Sequence, residues 1–159
     1  MTPAARIRWV LLAYRLPREP STPRIALWRR LRQLGAAQIL DGLVALPLDD
    51  RTRERFDWLA QEVEDAGGHA SVWTAELTEA AEERALVARL TEAVAADYRT
   101  VTEAAEAADG GTEVARRRAV TRLRRTLDRV EARDFFPPPE RDRARRAVAE
   151  LAALVEAPR

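Results

Sequence analysis

Arg118, Arg122, Arg125, Arg129 and Arg133 follow one another at steps of four, three, four and four residues. That spacing gathers side chains on one face of a helix. A guanidinium is permanently charged and presents a planar fork of donors that can take two phosphate oxygens at once. A row of them suits a polyanion, above all a nucleic-acid backbone. Like charges at these spacings cost a few tenths of a kcal/mol per pair, yet no acid interrupts the row; Glu113, Asp128 and Glu131 lie to one side of it. A second basic stretch, STPRIALWRRLRQLGA at residues 21–36, holds Arg24, Arg29, Arg30 and Arg32 around Trp28. Arg29 and Arg32 fall opposite Leu27, Leu31 and Leu34 on a helical projection. Trp28 has arginines four residues away on either side, which permits a cation–π stack; the expectation is that it packs beneath a neighbouring element instead.

Three readings of these arginines stand. They are solvated or paired with acids of a neighbouring helix, for which Glu92, Asp97, Glu103 and Glu106 are candidates. They track phosphates, gaining from counterion release. Or they meet an anionic membrane, for which no exposed aromatic or leucine face lies beside the row. The candidate nucleic-acid-binding set is therefore Arg29, Arg30, Arg32, Arg118, Arg122, Arg125, Arg129 and Arg133.

Other chemistries find little support. Cysteine is absent and His69 is the single histidine, so thiolate metal sites are excluded and a conventional zinc site is not expected. Gly67-Gly68 and Gly110-Gly111 lack the contexts of a phosphate-cradling loop. Ser21 and Ser71 have no base at a suggestive spacing, and Asp49-Asp50 reads as a helix start. His69, after a Gly-Gly turn, reads as a solvated residue at the start of a strand. No enzyme activity, metal or cofactor is expected.

All 27 basic residues are arginine, and the chain has neither lysine nor asparagine, a composition that a GC-rich genome would also produce. The net charge of +1 hides a segregation: residues 1–33 carry +7, 34–77 and 78–115 carry −6 each, and 116–159 carry +6. Basic ends bracket an acidic middle, to pair with it or to reach a polyanion. No apolar run approaches the roughly 18 residues of a membrane span. No cleavage site follows the first apolar stretch, so a cytoplasmic protein without membrane attachment is expected.

The elements that must hold these residues can be read in order. Trp9 to Ala13 is a near-continuous apolar run suited to a covered strand, ended by Pro17 and Pro20. Ser21 or Thr22 offers an N-cap with Pro23 in the first turn, and Gly35 a stop. AQIL and LVALPL, joined by Asp41-Gly42, read as a hairpin. Asp50 or Thr52 can cap the next helix, whose buried face is Phe56, Leu59, Ala60 and Val63. HASVWTAEL is a last strand. The order β-α-β-β-α-β predicts an α+β fold, a ferredoxin-like split βαβ sandwich over residues 1–77 with both helices on one sheet face. Residues 78–159 are a helical extension expected to pack on it: a hairpin of helices at about 78–107 and 113–134, with a Val120, Leu123, Leu127, Val130 seam, and a final helix at about 140–156 after Pro137, Pro138 and Pro139. Small nucleases of CRISPR systems share the strand order but place an acid at the end of the first strand, where this chain has Tyr14-Arg15-Leu16. That departure argues against metal-assisted cleavage.

WVLLAYRLP, RIALWRRLRQLGAAQILDGLVALP, FDWLAQEVEDAGGHASVW, ADYRTV and RLRRTLDRVEARDFF together resemble the N-terminal region of the chromate-resistance protein ChrB family, from about residue 8 to residue 154. The most specific pieces are LWRRLRQLGA and the block ending Asp134-Phe135-Phe136, whose aromatics are expected to pin the last helix. The resemblance implies a bacterial cytoplasmic protein of chromate resistance, often described as a chromate-responsive transcriptional regulator. It would give DNA contact to Arg29, Arg30 and Arg32 or to the 118–133 row. Full-length members of the family carry a further C-terminal domain. The strand-helix order is also similar to the middle domain of the phenylacetate-pathway repressor family, without an obvious winged-helix reader. Two rivals remain open: an interaction module forming a homo-oligomer through the helical hairpin, its arginines spent on internal ion pairs, and a sensor binding chromate or another oxyanion directly.

Overall fold

The computed structural model describes residues 6–157. In chain order the elements are β1 (Trp9–Arg15), α1 (Thr22–Leu34), β2 (Ala37–Leu40), β3 (Leu43–Pro47), α2 (Asp50–Asp65), β4 (His69–Ala75), α3 (Ala80–Asp109), α4 (Glu113–Ala132) and α5 (Glu140–Glu156). The chain divides into two compact units, Met1–Leu86 and Val87–Arg159, with α3 beginning in the first and continuing into the second.

In the first unit the apolar run of β1 takes the centre of a four-stranded antiparallel sheet ordered β2-β3-β1-β4. Both hydrogen-bonding edges of β1 are taken up, by β3 on one side and β4 on the other. Val10 and Leu12 pair with Leu46 and Val44, and all four are buried. Leu27 and Leu31 of α1 and Phe56, Leu59 and Val63 of α2 are buried with them. The two helices lie side by side, tied by an ion pair between Arg30 and Glu62. This is the predicted split βαβ arrangement: β3 inserts between β1 and β2, and the helices form the second layer.

Local chemistry explains the boundaries. Ser21 holds the N-cap position of α1 but makes no side-chain cap bond, Pro23 filling the first turn in its place. Gly35, at φ 75°, turns the chain out of α1. The cap of α2 is Asp49, one residue before the expected Asp50: its carboxylate accepts from the Thr52 amide at 2.7 Å, and the Thr52 hydroxyl answers the Asp49 amide at 2.9 Å. This reciprocal box satisfies two amides that helix geometry leaves unbonded. Gly42 turns the β2–β3 hairpin at φ +77°, and a Cβ there would stand 2.4 Å from the Tyr14 carbonyl oxygen. The Gly42 carbonyl accepts the Tyr14 amide at 2.8 Å, so the hairpin tip is fastened to the end of β1.

The second unit is helical. The Thr112 hydroxyl caps α4, accepting from the Ala115 amide at 3.2 Å. The predicted seam is present: Val120, Leu123 and Val130 are buried and Leu127 packs against them. They meet Val94, Tyr98, Val101 and Ala105 of α3 and Ala144, Val148, Leu151 and Ala152 of α5. Tyr98 is wholly buried, and its hydroxyl donates to Asp134 Oδ2 at 2.7 Å. Burial and the adjoining Asp134 carboxylate push the phenol well above its ordinary value. Among the described residues no helix is long and apolar enough to cross a membrane.

Candidate anion-binding surfaces

The solvent side of α4 follows from its buried side. With Val120, Leu123 and Val130 inward, positions 118, 122, 125 and 129 point away, and all four arginines are exposed. Together with Val114 and Thr121 their side chains enclose an open furrow along the helix. Arg118, Arg122 and Arg125 make no ion pair or side-chain hydrogen bond among the described residues, and Arg129 reaches only the Thr126 hydroxyl, at 3.3 Å.

Three acids are engaged by arginines outside this row. Glu113 takes Arg117 at 3.1 Å, Glu131 takes Arg145 at 2.6 Å and Glu156 lies 3.6 Å from Arg124. Arg133 does not belong to the free set. It is half-buried, and its guanidinium donates to Asp97 Oδ2 at 2.8 Å. Of the four acids expected to serve the row, Asp97 alone does so. Arg133 ends the ridge because it sits at the C-cap of α4, where the guanidinium also reaches the Arg129 carbonyl at 3.2 Å.

The α1 arginines part company in the same way. Arg30 is held by Glu62. Arg32 stacks on Trp28, its guanidinium carbon 4.9 Å from the ring centroid. The expected packing of Trp28 beneath another element does not occur: the ring is 53% exposed. Arg29 is exposed and has no carboxylate partner among the described residues. It lines a cleft with Arg24, which spacing placed four residues before Trp28, and with Arg15 and Arg18, which spacing alone did not single out. Arg15 ends a strand, Arg18 follows it in a loop, and only the fold brings them to the start of α1. His69 is exposed, with Nδ1 3.0 Å from Glu64 Oε1.

The comparisons with known proteins bear on what these surfaces serve. A family model described as Protein ChrB, N-terminal, matches residues 24–117, more than half of the chain. The chain belongs to the ChrB N-terminal family. The match covers α1 and its arginines and stops just before the free row of α4. Protein ChrB of Cupriavidus metallidurans (strain ATCC 43123 / DSM 2839 / NBRC 102507 / CH34) is 33% identical over 132 residues, which is 81% of this chain and 40% of that protein. The chain thus spans about two-fifths of the length of this ChrB relative. No solved structure matches it.

Proposed function

We propose that this chain is a non-catalytic, nucleic-acid-binding component of bacterial chromate resistance, serving transcriptional regulation by gripping the backbone of duplex DNA through Arg118, Arg122, Arg125 and Arg129. One observation carries the reading: four exposed guanidiniums share one face of α4 without a carboxylate partner among the described residues. Membership of the ChrB N-terminal family supports the chromate-resistance setting. A phosphate backbone offers a regular line of anions, and each contact releases a condensed counterion. Arginine keeps its charge throughout the usable pH range, so salt is the variable that should govern binding.

The test is fluorescence anisotropy with a labelled duplex across a salt series. Four phosphate contacts give a log–log slope of about −3.6, or roughly 150-fold weaker binding between about 50 and 200 mM salt. Replacing all four arginines with glutamine (R118Q, R122Q, R125Q, R129Q) should leave the fold intact, since all four are exposed, and remove that dependence. Undetectable binding at the lower salt, or a slope unchanged in the quadruple variant, refutes the proposal.

A further inference from the structure

The arginines left without acids in the first unit converge on a concavity of about 810 Å³ between the end of β1, the start of α1 and the β2–β3 hairpin. Arg15, Arg18, Arg24 and Arg29 line it, and Trp28, Ile25, Leu16 and Tyr14 contribute apolar surface. None of the four guanidiniums has an ion pair among the described residues. Asp41 is the single carboxylate in the lining, and it already accepts from the Gln38 amide at 3.4 Å. Gathering four cations around one acid is unfavourable unless an anion joins them.

The apolar surface narrows what that anion can be. Trp28 is 53% exposed although it is large and apolar. Arg32 stacks on the ring without itself lining the cleft, which holds the indole in place. Ile25 beside it is also exposed. A presented indole is a stacking surface for a planar ring. Burial pushes the Tyr14 phenol above its ordinary value, with Asp41 adding to the shift and Arg24 opposing it, so the hydroxyl stays a donor at neutral pH. The volume lies within the range of small-molecule sites. A duplex keeps its rings stacked inside and would leave Trp28 unused.

We propose that this cleft binds a nucleotide, its ring stacked on Trp28 and its phosphates held by Arg15, Arg18, Arg24 and Arg29. The nucleotide is either free or an unpaired unit of a strand; the shared chemistry is a phosphorylated planar ring. The site uses none of the α4 arginines, so it stands or falls separately from the duplex-binding proposal.

The experiment uses the full chain carrying R118Q, R122Q, R125Q and R129Q, which silences the α4 row. Tryptophan fluorescence is titrated with adenosine diphosphate, with inorganic pyrophosphate and with a single-stranded oligodeoxyadenylate. Adenosine diphosphate or the oligonucleotide should quench Trp28 and bind at least about fivefold tighter than pyrophosphate, the weak end of a base-on-aromatic stack. Which of the two binds tells a free nucleotide from a strand. Trp28→Ala, read by calorimetry, should lose that advantage while leaving pyrophosphate binding unchanged. Arg24→Gln and Arg29→Gln should each weaken every probe severalfold, with far-UV circular dichroism confirming that these exposed substitutions leave the fold in place. Pyrophosphate binding as tightly as both other probes overturns the proposal, as does a Trp28→Ala chain that keeps the preference. No binding of any probe at about 1 mM overturns it as well.

Discussion

Replacing Tyr98 with phenylalanine removes a single oxygen from the middle of the second unit. The ring stays, so the apolar cluster around it keeps its volume and the change is confined to one hydrogen bond. That bond is 2.7 Å long, runs to a carboxylate and is made by a wholly buried side chain. Asp134 Oδ1 is already buried without a hydrogen-bond partner, and losing the phenol takes the bond from Oδ2 too. A hydrogen bond to a charged group is worth about 1.5–3 kcal/mol, and a loss near 2 kcal/mol is expected. Urea unfolding followed by far-UV circular dichroism at neutral pH would read this as a lowered midpoint at unchanged slope. A second arm uses alkali. The folded phenol titrates above the ordinary value of about 10, so the native state keeps a proton that the unfolded chain has lost. The stabilisation from Tyr98 is therefore whole below about pH 10 and drains away as pH rises beyond it, by about 1 kcal/mol at pH 11. The phenylalanine chain lacks this drain, and the two stabilities should converge. With no lysine or cysteine and only one other tyrosine, few groups blur the comparison. A neutral-pH difference below about 0.5 kcal/mol, or parallel curves in alkali, would refute the reasoning.

Gly42→Ala forces a side chain into a left-handed backbone and sets its Cβ 2.4 Å from the Tyr14 carbonyl oxygen; a destabilisation above about 2 kcal/mol is expected by thermal or urea unfolding. Asp49→Ala removes the side-chain half of the α2 capping box and should cost about 1 kcal/mol in the same measurement, with Asp49→Asn recovering most of it.

The fold was legible to the extent that its causes are local. The hairpin needed only Asp41-Gly42 between apolar runs. The α4 seam needed only a period of three and four. The site was legible by halves. Spacing put five arginines on one face of α4, but the loss of Arg133 to Asp97 depends on how α3 and α4 meet, which no spacing records. Arg30 was likewise claimed by Glu62, 32 residues away. Trp28 read as a packing residue because tryptophans usually are; nothing within residues 21–36 shows that it stays exposed. The cleft was invisible for the same reason, since Arg15, Arg18, Arg24 and Arg29 share no periodicity.

With Arg133 withdrawn, the free row runs only from Arg118 to Arg129, about 16 Å along the helix axis at 1.5 Å per residue. A turn of duplex is about 34 Å long, so a row that met duplex DNA as proposed would span roughly half a turn. On that proposal the footprint would be too short to cover a long operator alone, and occupancy of an extended site would have to be counted in several copies laid end to end.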